Sequence, residues 1–191
     1  MPLRAVFVTT HPIQYQVPWV RGVAQTPGIA AHVLYGMLPD AKQQGVGFGM
    51  PFTWDVPLLE GYAWSALENV ASAPSLSTRL GIDTPGVGKC LAELAPDVVV
   101  VCGWQAKSLV QAARAARKLG VPVVVRGESN DMRQRPLWKR WLHRSFLKGF
   151  DAALAIGMAN ARFLRAAGMD ASAIALAPYA VDTRHLEDAA K

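Results

Sequence analysis

The sequence predicts an α/β fold: a Rossmann-like, mostly parallel sheet with helices on both faces. Three observations point there. Seven short apolar runs recur along the chain, several of them, such as "DVVVVC", are continuously apolar rather than alternating, and amphipathic stretches separate them in the order β-α-β through the second half. A strand that is apolar at every position is one covered on both faces, and strand–helix–strand crossovers within one sheet run parallel and right-handed.

Strands are expected at 4–9, 30–35, 62–67, 97–102, 121–126, 152–156 and 174–177, each an apolar run bounded by turn residues. Helices are expected at about 15–26, 85–95, 105–119, 136–149 and 158–167. Gly120 and Gly168 close two of them, because glycine accepts the left-handed backbone that ends a helix. Residues 36–52 hold four of the 16 glycines without periodicity and read as a long loop near the site. No internal repeat or low-complexity tract appears. At 191 residues, 51% hydrophobic, the chain builds one sizeable core and is expected to be one domain.

Composition removes several function classes. No apolar stretch approaches the roughly 20 residues of a bilayer span, so a soluble chain is expected. The N-terminus has a single arginine before a short apolar segment that ends at His11-Pro12, which is not a secretion signal. Cys90 and Cys102 fit reduced thiols in a cytosolic protein, with Cys102 a small buried hydrophobe. No His, Cys and carboxylate cluster has metal-ligand spacing, so no metal is expected. "GVGFG" at 45–49 runs into Pro51 rather than a helix, and "DTPGVGKC" at 83–90 has Asp83 and Cys90 where a phosphate loop needs Gly and Ser or Thr. No nucleophile elbow is present, and no cofactor is expected.

The net charge of +6 is concentrated: Arg133, Arg135, Lys139, Arg140, Arg144 and Lys148 lie between 133 and 148 with no acidic residue. One local basic face argues against a nucleic-acid binder. In "RPLWKRWLHRSFLKGF", Trp138, Trp141, Leu142, Ser145 and Phe146 fall on one side of a helix, and Lys139, Arg140, His143 and Arg144 on the other, with Leu147 isolated among the charges. Two readings stay open: a helix packed on the sheet with a wet basic face, and a peripheral contact with the anionic inner face of a membrane.

In an open parallel sheet, ligands bind beyond the carboxyl ends of the strands. The segments there are "TTHPIQYQ", "GWQAKS", "RGESND" and "GMANAR", all polar and expected to converge on one rim.

The runs "HPIQYQVP" at 11–18, "WDVPLLEGY" at 54–62, "RGESN" at 126–130, "GMANARFL" at 157–164 and "PYAVDTRHL" at 178–186 together resemble the amino-terminal half of family-four glycosyltransferases of the GT-B type. The resemblance implies an acceptor-binding domain over 1–182 and the start of an interdomain linker over 183–191. It further implies that a nucleotide-sugar donor domain, in cis or in trans, completes the enzyme. The isolated chain is then expected to be inactive in sugar transfer to a glycan or lipid-linked acceptor, because groups aligning acceptor and leaving phosphate are divided between two domains. The alternative is a stand-alone module that binds a glycan or anionic ligand without turnover.

On that reading Glu128 and His11 are the catalytic candidates. Glu128 follows an apolar strand and a glycine, where its carboxylate is placed to accept a sugar hydroxyl; pairing with Arg126 or Arg133 is the structural alternative. Because the resembled family retains anomeric configuration, positioning suits Glu128 better than base duty. His11 is placed for a phosphate or a hydroxyl, or for bonding its own loop. Many relatives have paired glycines in this first loop, whereas here Gln14 and Tyr15 present side chains to the ligand. Trp54 and Asp55 suit a pyranose face and its hydroxyls, or a core tryptophan with a turn aspartate, and Trp104 and Gln105 carry the same ambiguity. Ser129 and Asn130 complete the binding candidates after the fifth strand. Asn160 is a helix cap or a cleft residue, and Arg126 and Arg133 hold an anion or stay solvated.

Overall fold

The computed structural model describes residues 1–45, 49–54, 56–132 and 136–180. Among these residues seven strands form one sheet: β1 Leu3–Thr9, β2 Ile29–Tyr35, β3 Ala63–Ala66, β4 Val98–Cys102, β5 Val123–Gly127, β6 Ala152–Ala155 and β7 Ile174–Leu176. Their order is β3-β2-β1-β4-β5-β6-β7, and every pairing is parallel. The helices are α1 Val17–Ala24, α2 Ala41–Gln44, α3 Val87–Leu94, α4 Lys107–Lys118, α5 Leu137–Leu147 and α6 Met158–Ala166.

Strand alternation divides the apolar side chains into two layers. Val6, Val8, Val99, Val101, Val123 and Val125 meet α3, α4 and α6 through Leu91, Leu109, Ala112 and Leu164. On the other face Ala5, Phe7, Val33 and Val100 meet Val20 and Trp19 of α1 and the Leu59–Trp64 segment. Covering on both sides is why these strands are apolar at successive positions. All seven expected strands form. So do the five expected helices, with ends trimmed by at most two residues. Within the expected long loop, Asp40 accepts from the Gln43 backbone N–H at 2.8 Å and Gln43 returns a side-chain bond to the Asp40 N–H at 3.0 Å. That reciprocal cap holds the single turn α2.

Helix α5 corrects the packed-helix reading of its face. Trp138, Trp141 and Leu142 are 62%, 70% and 51% exposed, whereas Leu147, assigned to the basic side, is 2% exposed. The rotation is set by the last turn and the chain beyond it. Phe146 meets Phe150 at 5.3 Å, and His143 sits edge-on to Phe163 at 5.5 Å. A helical wheel ranks faces by apolar density and does not see these tertiary anchors. Among the described residues, no helix is long and apolar enough to cross a membrane.

Leu147→Ala is expected to lower unfolding free energy by about 2–5 kcal/mol through loss of core contacts. Trp141→Ala is expected to change it by no more than about 0.5 kcal/mol. Urea midpoints of the two variants decide which face carries the packing.

Candidate functional site

The strand order reverses direction between β1 and β4, so the loops leaving these strands turn to opposite faces and open a gap at the carboxyl edge. A hollow of about 290 Å³ occupies it, lined by Thr10, His11 and Tyr15 after β1, Gln105 after β4, Arg126 and Glu128 from β5 and its exit, and Tyr179 after β7. Gly103 makes the turn out of β4 with φ +102°, and a Cβ there would lie 2.4 Å from Gln105 Oε1. The same oxygen accepts from the Trp104 backbone N–H at 3.1 Å, which fixes Gln105 against its own loop.

Glu128 is held by two phenols. Tyr15 Oη donates to Glu128 Oε1 at 3.0 Å, Tyr179 Oη donates to the same oxygen, and the two rings meet edge-on at 4.5 Å. Burial first, then the Glu128 charge and hydrogen bond, raise Tyr15 to about 12, and similar causes raise Tyr179. Both phenols therefore stay protonated donors. Because they share Oε1, the second carboxylate oxygen is left to accept a ligand hydroxyl.

Arg126 is 2% exposed, so it is neither solvated surface nor, among the described residues, part of a salt bridge. Its Cζ lies 4.6 Å from the Trp19 ring centroid and 4.4 Å from that of Tyr179, and Nη2 donates to the Ala177 carbonyl at 3.2 Å. Among the described residues, its Nε is buried without a hydrogen-bond partner. A buried cation stacked on two π faces gives this edge of the hollow a positive potential suited to an anionic group. Burial raises the neighbouring Cys102 thiol to about 11, with the Arg126 charge partly opposing it, so this thiol on the hollow's wall stays protonated near neutral pH.

His11 Nδ1 and Thr10 Oγ1 lie 3.0 Å apart. Burial lowers His11 to about 4, so its imidazole is neutral near neutral pH and offers hydrogen bonds rather than charge.

These residues sit on a sheet whose sequence matches a known domain: residues 29–180 fit the Glycosyl transferase 4-like domain. The chain belongs to that family. No curated protein matches it. Among solved structures it is similar to a UDP-N-acetylglucosamine 2-epimerase, at 15% identity and a TM-score of 0.61 over 92% of this chain and 48% of that one. It is also similar to Anabaena HepE in complex with UDP and glucose, at 12% identity and 0.57 over 95% and 46%. A third is the lipopolysaccharide outer core galactosyltransferase WaaB, at 17% identity and 0.55 over 91% and 45%. These likenesses are of fold, one Rossmann-like half of a GT-B architecture, and the chain spans about half the length of each.

Within this glycosyl transferase 4-like domain, the sequence candidates separate. His11, Tyr15, Gln105, Arg126 and Glu128 share the hollow; Gln14 is not among its lining residues. Trp104 is not among its lining residues; it stacks on Phe163 at 6.5 Å and fills the space where a Gly127 Cβ would come within 2.9 Å. Asn160 is 3% exposed; it donates to the Ser129 carbonyl and accepts from the Ile156 N–H at 3.1 Å, bracing the β5 and β6 exits against each other. Asn130 bonds within its own turn, to the Glu128 carbonyl and the Met132 N–H. Trp54 meets Phe52 edge-on at 4.7 Å and lines a separate hollow with Asp40, Pro57 and Leu59. Asp55 and Arg133 lie outside the described residues.

Sequence reasoning missed Tyr179, Gln16 and the Ser77–Arg79 wall. Tyr179 stood in a quoted motif, "PYAVD", whose aromatic was the available signal.

The depressed His11 value sets a pH dependence. Unfolded His11 takes up a proton below its ordinary value of 6.5, while folded His11 resists until about 4, so stability falls as pH drops through that window and is flat above it. His11→Gln is expected to remove this part of the slope, read as the difference in Tm between the two proteins across the window. Gly103→Ala, strained at φ +102°, is expected to cost about 1–3 kcal/mol, measured by urea denaturation.

Proposed function

We propose that this chain is the acceptor-binding half of a retaining glycosyltransferase that transfers a sugar from a nucleotide-sugar donor to a glycan or lipid-linked acceptor. The acceptor oxygen replaces the nucleoside diphosphate at the anomeric carbon. The observation that carries this reading is the doubly donated Glu128 carboxylate in the hollow at the sheet's reversal, in a chain of the glycosyl transferase 4-like family.

In this reading Glu128 accepts the acceptor hydroxyl and orients its oxygen. Tyr15 and Tyr179 fix the carboxylate rotamer, neutral His11 supplies a further hydrogen bond, and Arg126 holds an anionic group of either substrate. Residues 1–182 are the acceptor domain and 183–191 begin a linker. A donor-binding domain, in cis or in trans, carries the nucleotide sugar, and the chain alone turns nothing over. Under retention the diphosphate leaves from the face that the acceptor approaches and takes up the acceptor's proton, and the donor domain supplies the charge stabilisation its departure needs.

Titration of the chain by calorimetry with oligosaccharides and with UDP-sugars tests this. Oligosaccharide binding is expected, weakened roughly tenfold to a hundredfold by Glu128→Gln. Turnover is expected only on addition of a donor-binding half. Tight UDP-sugar binding by the chain alone would overturn the acceptor-half assignment, and glycan binding that never gains turnover would assign a binding module instead.

A further inference from the structure

Helix α5 presents its apolar residues to the outside. Leu137, Trp138, Trp141 and Leu142 are 78%, 62%, 70% and 51% exposed, and Leu147 is the helix's one buried residue. At 100° per residue these four side chains, with Ser145, form a continuous ridge opposite the His143–Phe146–Leu147 side that anchors the helix to the core. Soluble surfaces carry scattered apolar residues, but a contiguous ridge with two tryptophans marks a docking surface.

Charge selects the occupant. Lys139 flanks the ridge on one side, its Nζ 5.2 Å from the Trp138 ring centroid, Arg140 and Arg144 flank it on the other, and Lys148 caps its end. From 132 to 150 the sequence contains no acidic residue. A second copy docked through the same face would set these cations against their own images. An anionic surface meets all of them at once, and indole rings with leucines between basic side chains match the polarity gradient of a lipid headgroup region.

We infer that α5 docks this domain on a membrane surface containing anionic phospholipid. The helix lies in the interface with Trp138, Trp141, Leu137 and Leu142 inserted at headgroup depth and Lys139, Arg140, Arg144 and Lys148 on lipid phosphates. Because α5 follows β5 in a parallel sheet, its first turn starts from the carboxyl edge that bears the hollow. The docking surface stands without the glycosyl-transfer reading; only the corollary, that the acceptor is presented by a lipid, rests on it.

Flotation of the full chain with phosphatidylcholine vesicles, alone or mixed with phosphatidylglycerol, tests the docking. Binding to the mixed vesicles, with a blue shift of tryptophan emission and weakening by salt, is the expected result, against little or none on phosphatidylcholine. The Trp138→Ala, Trp141→Ala double variant is expected to lose binding at least tenfold with its Tm unchanged. Each of Arg140→Gln and Arg144→Gln should reduce binding about fivefold. Equal binding by these variants, or no binding to the mixed vesicles, overturns the inference. A dimer in sedimentation velocity that Trp141→Ala dissolves would assign the ridge to a second copy and overturn it as well. None of these readouts uses sugar transfer, so docking and glycan titration fail independently.

Discussion

Seven strands running in one direction constrain everything else in this molecule. Each parallel neighbour is reached by a crossover, and the crossovers lay helices or long loops over both faces. The sheet's core faces are mostly apolar, and polar side chains gather near the strand ends. Only between β1 and β4 do successive loops diverge, and there His11, Gln105 and Glu128, drawn from three loops far apart in sequence, come to line one space. Arg126 obeys the same geometry. Val123 and Val125 point to the α4 layer, while Val124 and Arg126 point toward α1, so the guanidinium arrives against Trp19 instead of in the larger core.

The strands were legible because burial on both faces writes itself as uninterrupted valine, as in 98–101 and 123–125. Strand β3 was the least regular signal, and it is an edge strand whose residues are mostly exposed. Helix α2 was hidden because its stability is local, from the Asp40–Gln43 exchange, and not from an apolar periodicity. Of the two open readings of α5, the packed-helix one fails for the opposite reason. The helix's pattern is strong, but the pattern serves the outside of the protein, and the few residues that fix its rotation lie at its end.

The site was half legible. Position at a strand exit was enough to find Glu128, His11, Gln105 and Arg126, since topology alone delivers them to the rim. It was not enough to tell Trp104 from a ligand-stacking tryptophan, because the decision rests on Gly127 leaving room for the indole underneath. Nor could it show that the partner of Glu128 is a pair of tyrosines rather than an arginine. Those phenols come from residues 113 and 51 positions away in the chain, and such pairings exist only once the sheet has closed.

Tyr179 joins features that look separate. Its hydroxyl is on Glu128, its ring is under Arg126, and Arg126 in turn grips the Ala177 carbonyl two residues earlier. The exit of the last strand and the charged floor of the hollow are therefore one mechanical unit. Any pull on residues 177–180 strips a donor from the carboxylate and a π face from the guanidinium in the same displacement, so the chain's departure from the sheet works as a latch on the polarity of the space it leaves behind.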